Sequence, residues 1–372
     1  MLEMTMLPAR QGDAIWIRWG DESNPHQMMI DMGTEEIGEQ IRQRIEALPE
    51  AQRKFDLLVV SHVDRDHIGG VLTCLAEADP IAGMEIDDVW FNGFPHLSGG
   101  KVVQPGEEGG GSLESMGPAQ GERLASWLRK QVWNKEFDGA PVQRVPGESL
   151  QTVTLHDDLK LTVLGPTPER LEKFIDTWVA DVEAALEKGT LTEVSPGLES
   201  MGSKHPPDLE FEEDLEILAE TSNSSDKSPA NGSSISLLVE YKGRKVLLSG
   251  DAFPGDLVDA IAEVSGTERV KLDAFKLPHH CSKNNIFKSL VESVDCDRWL
   301  VSTDGAQFRH PDAIALARVI AYSTVRTPIL SFNVPSKYNG WWDNQDWKSL
   351  YDYVTEYGTM EDGLTLSFAL DD

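Results

Sequence analysis

The fold is decided by one stretch of the chain, Ser61-His62-Val63-Asp64-Arg65-Asp66-His67-Ile68-Gly69-Gly70. It directly follows residues 55–60, a continuous apolar run with β-branched residues, which is typical of a strand buried on both faces. Where such a strand ends, the backbone leaves the sheet, so closely spaced side chains can converge on one point. Imidazole and carboxylate groups are the ligands that hold zinc, manganese or iron. The stretch therefore predicts a metal site with four candidate ligands, His62, Asp64, Asp66 and His67.

Outward from this stretch, short strand-like runs alternate with helical segments in both directions. Residues 2–7, 14–19 and 27–30 have strand patterns, and residues 34–48 have helical periodicity. Beyond residue 232 the pattern begins again with a pair of strands and continues as strand–helix units. Two such halves predict a single layered α/β domain over residues 1–372. We expect a last strand–helix–strand over residues 325–372 to complete or cover it.

The two halves are separated by a polar interval at residues 194–232. Within it, residues 208–220 carry seven carboxylates, and a Ser- and Asn-rich run follows at residues 221–225. Such a composition cannot bury enough apolar surface to form a core of its own. We interpret residues 194–232 as a flexible acidic insertion or lid rather than a second domain.

The chain is strongly acidic, with 33 basic and 63 acidic residues and a net charge of −30. A surface this negative repels nucleic acid at long range and favours solubility. It still permits a phosphate substrate, because bound divalent metals can reverse the sign of the charge locally. A polyanionic substrate would have to be met by a local basic patch, by the metals or by a protein partner.

The cysteines and the lengths of the apolar stretches indicate the compartment and whether the chain contacts a membrane. The three cysteines, Cys74, Cys281 and Cys296, are odd in number and widely spaced, which argues against a disulfide framework and favours a reducing cytoplasm. No uninterrupted apolar stretch approaches the roughly 20 residues that span a bilayer. We therefore expect a cytoplasmic protein without a membrane partner.

The ligand stretch resembles the His-x-His-x-Asp-His signature of metallo-β-lactamase-like hydrolases. With an aspartate at the second ligand position, it resembles the hydrolase domain of ComEC-type DNA-uptake proteins and their stand-alone relatives. Five further motifs resemble those of that subgroup and follow in the same order. They are Gln11-Gly12-Asp13-Ala14, Ile30-Asp31-Met32-Gly33, Asn231-Gly232-Ser233-Ser234 with Ser249-Gly250-Asp251, Lys276-Leu277-Pro278-His279-His280-Cys281-Ser282, and Arg309-His310-Pro311.

This resemblance implies a four-layer αβ/βα sandwich and a centre for one or two divalent metal ions. By analogy, His62 and Asp64 form one metal position, and Asp66 with His67 forms the other. Asp251 would bridge the two positions, and either His279 or His280 would complete the second. An aspartate in place of an imidazole hardens the ligand set, so we expect Mn²⁺ or Zn²⁺, with Mg²⁺ also compatible.

The resemblance also implies roles for residues around the metals. Asp31 either holds the His62 loop by hydrogen bonds or caps a helix. Asp66 would orient the attacking water or accept its proton, and His310 would protonate the leaving oxygen or contact substrate. The candidate substrate contacts are Lys276, Ser282 and Arg309.

Two departures from the family pattern stand out. The usual third-motif histidine has no clear equivalent, since His96, His156 and His205 lie in the expected interval without motif context. Cys281 stands where the family has glycine, either as a thiol near the metal or as a neutral replacement.

For function, the subgroup resemblance implies a phosphodiesterase or nuclease acting on DNA or RNA. Tyr338, Trp341 and Trp342 would then stack on bases, unless they simply pack on the sandwich. Two alternatives remain open. One is a small-molecule hydrolase for a nucleotide, phosphoester or lactone, and the other is a non-catalytic subunit of a larger assembly.

Overall fold

Strands and helices alternate in the computed structural model, which describes residues 1–105, 119–188, 215–266 and 269–370. The strands are β1 (Leu2–Met6), β2 (Ile15–Trp19), β3 (His26–Ile30), β4 (Lys54–Phe55), β5 (Leu57–Val59), β6 (Glu85–Ile86), β7 (Val89–Trp90), β8 (Thr152–Thr154), β9 (Lys160–Gly165), β10 (Ser236–Tyr241), β11 (Arg244–Leu248), β12 (Val270–Leu272), β13 (Ala274–Lys276), β14 (Val294–Cys296), β15 (Arg298–Val301), β16 (Ile329–Phe332), β17 (Val354–Tyr357) and β18 (Leu364–Ser367). The helices are α1 (Glu35–Ala47), α2 (Arg65–Val71), α3 (Phe94–Leu97), α4 (Ala119–Leu128), α5 (Pro168–Lys188), α6 (Leu215–Glu220), α7 (Pro229–Gly232), α8 (Pro254–Ser265), α9 (Lys288–Val291), α10 (Ala313–Tyr322) and α11 (Gln345–Tyr351).

Two mixed sheets form the centre of the molecule. The first has the strand order β18-β1-β2-β3-β5-β7, and the second has the order β17-β16-β15-β13-β11-β10-β9-β8. Most strands of the second sheet come from the second half of the chain, but β18 crosses back and pairs antiparallel with β1, with Met4 opposite Leu366. The C-terminal segment therefore contributes β16 and β17 to one sheet and β18 to the other.

Three apolar layers hold these elements together. The inner layer joins the two sheets, with Ile17 and Leu57 of the first packed in one cluster with Leu237 and Val246 of the second. The outer face of the first sheet is covered by α1, α2, α4 and α5. The outer face of the second sheet is covered by α6, α8, α9 and α10. The predicted four-layer αβ/βα sandwich is thus confirmed.

The predicted insertion at residues 194–232 differs from the structure in its second part. Residues 194–214 lie outside the described residues. Residues 215–232 pack against the second half of the sandwich, where Leu215 and Leu218 are buried and Arg318 Nε donates to the Ala219 carbonyl at 3.1 Å. The Ser- and Asn-rich run is also held, since Asn223 Nδ2 donates to the Lys283 carbonyl at 3.0 Å. Composition alone missed these contacts because their partners are distant in sequence.

The chain leaves the sheets in several places at one edge. Strands β3 and β5 run parallel in the first sheet, and β11, β13 and β15 run parallel in the second. Because the carboxyl ends of parallel strands share an edge, the segments that follow them can meet there. No helix among the described residues is long and apolar enough to cross a membrane.

Candidate metal centre

Histidine and aspartate side chains from four strand ends meet at this edge. They follow β5, β11 and β13, and Asp31 at the end of β3 contacts them. All are buried. The ones whose imidazole nitrogens and carboxylate oxygens face one another are His62, Asp64, Asp66, His67, Asp251 and His280.

One group of ligand atoms lies around His62 and the Asp251 carboxylate. His62 Nε2 is 3.4 Å from Asp64 Oδ2 and 3.9 Å from Asp251 Oδ2. His67 Nε2 lies 3.5 Å from Asp251 Oδ1. The donor atoms of His62, His67 and Asp251 all lie within 4.8 Å of one another, which is close enough for one ion to bind all three.

A second group lies around Asp66. His280 Nε2 is 3.1 Å from Asp66 Oδ2 and 3.8 Å from Asp251 Oδ2. Asp66, His67 and His280 also have their donor atoms within 4.8 Å of one another. The geometry therefore separates the two neighbouring histidines, because His280 joins the group that contains Asp66 and His279 does not.

The residues fit a divalent cation because their donor atoms lack partners. Nε2 of His62, His67 and His280, Oδ2 of Asp66 and both carboxylate oxygens of Asp251 are buried and have no hydrogen-bond partner among the described residues. Buried polar atoms are nearly always paired, so such a cluster points to an ion that completes it. With neutral imidazoles, Asp64, Asp66 and Asp251 also leave buried negative charge for a cation to offset.

Without a cation, the aspartates favour the protonated form of the histidines, and the histidines favour the ionised form of the aspartates. Burial disfavours the imidazolium of His280, yet Asp251, Asp13 and Asp66 outweigh it and raise the pKa of His280 to about 10. Burial likewise disfavours the Asp251 carboxylate, but the surrounding histidines hold its pKa well below its usual range. Protons would therefore compete with a metal ion for the imidazole nitrogens.

Asp31 orients part of the centre from the end of β3. Its Oδ1 accepts from the Ser61 backbone N–H at 2.7 Å, and its Oδ2 accepts from the Ser61 hydroxyl at 2.6 Å. The same Oδ2 lies 2.7 Å from His67 Nδ1, which leaves His67 Nε2 facing the ligand cluster. Asp31 contacts the His62 loop through Ser61, and the residue that precedes α1 is Thr34.

Lys276, predicted to contact substrate, is instead paired with a buried carboxylate. Its side chain is fully buried, and its ammonium lies 2.5 Å from Asp13 Oδ2. Burial opposes ionisation of Asp13, but Lys276 and His280 bring the pKa of Asp13 down to about 2. Asp13, which sequence reasoning did not place in the site, lies 3.5 Å from His280 Nδ1. The Gln11-Gly12-Asp13-Ala14 motif is the signal in the sequence from which Asp13 could have been placed there.

His279 faces the centre from a separate polar cluster. Its Nδ1 lies 3.2 Å from Asp226 Oδ2 and 3.0 Å from Asn285 Oδ1, while its Nε2 has no partner among the described residues. Asn285 and Asn231 both donate to Asp226, which fixes that carboxylate. Asp226 and Asn285 were missed because neither lies in a motif.

His310 lies beside His279, with ring centroids 5.5 Å apart. Both of its ring nitrogens are buried without a hydrogen-bond partner in the described part of the chain, and Nδ1 lies 3.5 Å from Asp312 Oδ2. Burial lowers the pKa of His310. The two roles predicted for His310, protonating the leaving oxygen or contacting substrate, stay predictions.

Other predicted residues take structural positions. Ser282 is buried, and its hydroxyl accepts from the Asn284 backbone N–H at 3.3 Å. Cys281 packs in the outer core, and burial raises the pKa of its thiol well above the usual range. Its φ of 66° lies in the left-handed region, which explains why glycine suits this position. Arg309 is half-buried next to His310.

The C-terminal aromatic residues pack on the sandwich. Trp342 is fully buried, and its ring lies 4.4 Å from that of Trp341 and 5.4 Å from that of Trp347. Trp341 Nε1 donates to the carbonyl of Tyr338, which is itself buried. Of the two alternatives, the burial of Trp342 in the outer core favours packing on the sandwich over stacking on bases.

No histidine from the third-motif interval reaches the centre among the described residues. His96 is buried at another place, where Nδ1 accepts from the Gly93 backbone and Nε2 contacts the Gly139 carbonyl. His156 lies near His26 and Asp56. His205 lies outside the described residues.

Comparison with known proteins gives a family. No curated protein matches the chain. Similar solved structures include Zn²⁺-bound PqqB from Methylobacterium extorquens (14% identity, TM-score 0.37, covering 95% of this chain and 87% of that one). CmlA, a diiron β-hydroxylase from Streptomyces venezuelae, has 12% identity and a TM-score of 0.36 over 86% of this chain and 47% of its own. The metallo-β-lactamase MIM-1 from Novosphingobium pentaromativorans has 13% identity and a TM-score of 0.29 over 86% and 87%. A family model for the metallo-beta-lactamase superfamily matches residues 7–305, and the chain therefore belongs to that superfamily.

Proposed function

We propose that the protein is a divalent-metal-dependent phosphodiesterase that acts on DNA or RNA. The observation that carries the proposal is the buried cluster of histidine nitrogens and aspartate oxygens that have no partners. In this proposal one or two ions are held by His62, Asp64, Asp66, His67, Asp251 and His280. Three carboxylates among these ligands favour Mn²⁺, and the three imidazoles also suit Zn²⁺.

Each residue near the metals then has a chemical task. Bound divalent ions lower the pKa of a water and offset charge on the attacked phosphoryl group. Asp66 orients that water as a hydrogen-bond acceptor. His279 is better placed than His310 to protonate the leaving oxygen, because Asp226 supports its cationic form from behind. His310 donates a hydrogen bond to the substrate from a neutral ring.

A basic pocket beside the centre supports an anionic substrate. A cavity of about 360 Å³ is lined by Arg170, Lys173 and Lys227 together with Asp226 and Phe253. Asp226 also contacts His279, so the pocket adjoins the proposed proton donor. Arg170 is paired with Asp256 and Lys173 with Glu169. In a chain with a net charge of −30, Lys227 is therefore the cation of this lining that would attract a phosphate substrate.

The same pocket favours a second candidate, a hydrolase for a small phosphoester. A volume of about 360 Å³ suits a ligand of nucleotide size, and the buried C-terminal tryptophans remove one surface for stacking a polymer. A nuclease that works with a protein partner remains compatible with the acidic surface, because the partner would supply the missing positive charge.

The test is cleavage with Mn²⁺ of plasmid DNA, single-stranded DNA, RNA and bis-p-nitrophenyl phosphate. Cleavage of the polymers supports the nuclease, cleavage of the small ester alone supports the second candidate, and cleavage of none overturns both in favour of a non-catalytic subunit. An Asp66→Ala, His67→Ala double variant should lose activity, whereas Lys288→Ala, on an exposed side chain of α9, should not.

A Lys227→Ala variant tests the basic pocket. We expect KM to rise by roughly tenfold with kcat little changed, since a lost charge-assisted contact costs about 1.5 kcal/mol. An unchanged KM would remove this pocket from the substrate path.

A further inference from the structure

A second cluster of metal-ligating side chains lies at the other end of the first sheet. Asp56 directly precedes β5, whereas the ligand stretch of the candidate metal centre directly follows it. His26 begins the neighbouring strand β3, and His156 lies in the turn that follows β8 of the second sheet. We propose that His26, Asp56 and His156 form a second metal site, for a transition-metal ion of the zinc class, that links the two sheets.

The distances suit a single ion. Nδ1 of His26 lies 3.0 Å from Asp56 Oδ2, and Nδ1 of His156 lies 3.2 Å from the same oxygen. The three donor atoms all lie within 4.8 Å of one another. Tetrahedral zinc with bonds of about 2.0–2.1 Å places its ligand atoms roughly 3.3 Å apart. The donor atoms are thus spaced for one ion, and the two nearly parallel rings would have to turn so that both Nδ1 atoms face it.

The two imidazole rings are held in place before any ion binds. They stack with centroids 5.0 Å apart and an angle of 8° between their planes. Trp19 also stacks with His26, with ring centroids 5.6 Å apart, and its Nε1 donates to the His156 carbonyl at 2.8 Å. The buried Trp19 therefore holds both histidines next to Asp56.

The site is accessible and attracts cations. The side chain of His156 is 63% exposed and that of His26 is 36% exposed, so an ion can enter from solvent. A neighbouring cavity of about 330 Å³ is lined by Asp56 and His156 and by the further carboxylates Asp87, Asp88 and Glu136. Three protein ligands leave a position for water or for a group in this cavity.

The ligand set differs from that of the candidate metal centre. Two imidazoles and one carboxylate favour Zn²⁺, Ni²⁺ or Cu²⁺, whereas the carboxylate-rich centre also suits Mn²⁺. Because His26 and Asp56 belong to the first sheet and His156 to the second, an ion here would stabilise their packing against unfolding. This inference does not depend on which bond the protein cleaves.

Equilibrium dialysis of the metal-stripped full-length chain against one fixed concentration of free Zn²⁺ tests the site. Bound zinc is then counted per chain by mass spectrometry. His156→Ala should bind one ion fewer than wild type, and Asp158→Ala, which removes an exposed carboxylate from the same turn, should bind as many as wild type. In a His67→Asn background, which weakens the candidate metal centre, adding His156→Ala should again lower the zinc count by one ion.

Thermal unfolding with and without Zn²⁺ gives a second measurement. The rise in Tm on adding Zn²⁺ should be smaller in His156→Ala than in Asp158→Ala. Equal zinc counts and equal Tm shifts in wild type and His156→Ala would overturn the proposal and leave these residues as hydrogen-bonded surface groups.

Discussion

His96 illustrates how a single buried histidine can be structural. It lies in the interval where the family's third-motif histidine is expected, yet it is fully buried away from the metal centre. Nδ1 accepts from the Gly93 backbone at 3.1 Å, and Nε2 lies 3.0 Å from the Gly139 carbonyl as a donor. These two bonds require the neutral tautomer. Burial lowers the pKa of His96 to about 4, because it disfavours the imidazolium.

This depressed pKa predicts a loss of stability in acid. Between pH 6.5 and about 4, the unfolded chain binds a proton at His96 that the folded chain does not, so the free energy of unfolding falls as pH falls. The loss reaches at most about 3 kcal/mol for a shift of this size. In His96→Gln, whose amide can make both hydrogen bonds without titrating, that part of the pH dependence should vanish. Urea unfolding at a series of pH values measures it, and parallel profiles for the two proteins would contradict the argument.

At the residue scale, the sequence predicted most of the candidate metal ligands but not the residues that contact and orient them. His62, Asp64, Asp66, His67 and Asp251 could be found because they follow strands in a recognisable order. The choice between His279 and His280 could not, because both have left-handed backbone conformations, with φ values of 50° and 51°, that aim adjacent rings in different directions. Lys276 looked accessible beside a ligand motif, but its place at the end of a central strand buries it.

At the scale of elements, two helices approach so closely that only glycine fits between them and a loop. A Cβ at Gly70 of α2 would lie 1.9 Å from the Met32 carbonyl oxygen and 2.7 Å from its carbon. A Cβ at Gly38 of α1 would lie 2.4 Å from the Gly70 carbonyl oxygen. Met32 directly follows Asp31, so this contact also sets the position of the carboxylate that orients His67.

Gly70→Ala should therefore destabilise the protein. The atoms in its way are backbone atoms that cannot rotate aside, so we expect a loss of about 1–3 kcal/mol or more in the free energy of unfolding. Gly255→Ala on α8 is the matched control, because a Cβ there meets nothing within 4 Å. Its expected effect is a gain of up to about 1 kcal/mol. Urea unfolding compares the two, and equal stabilities would show that the loop can shift.

The elements themselves were predicted better than their pairing. Alternating and continuous apolar runs located β1, β2, β3 and β5, because each of these strands buries at least one face. The crossing of β18 into the first sheet was not foreseen, since its register with β1 depends on contacts between residues more than 350 positions apart, such as Met4 and Leu366. Likewise, the short helix α6 is held by packing on α10 and not by its own acidic composition.

For the whole molecule, the two sheets bring buried carboxylates together, and without a cation their charge is offset by protons on the neighbouring histidines. Asp64 and Asp66 come from the first sheet and Asp251 from the second, so the repulsion acts across the interface between the two halves. A cation bound there would hold the halves together. Stability should therefore depend on metal at the level of the entire domain.

Removing divalent metal should lower the stability of the whole protein. At a free Mn²⁺ concentration 100 times the dissociation constant, binding to the folded state adds about 2.7 kcal/mol to the free energy of unfolding. Mn²⁺ is the appropriate ion because the His26, Asp56 and His156 cluster favours zinc-class metals over it. Thermal unfolding in a chelator and in saturating Mn²⁺ measures the difference. Asp251→Asn should abolish most of the Mn²⁺-dependent shift while Lys288→Ala keeps it, and a full shift in Asp251→Asn would mean that Mn²⁺ binds elsewhere.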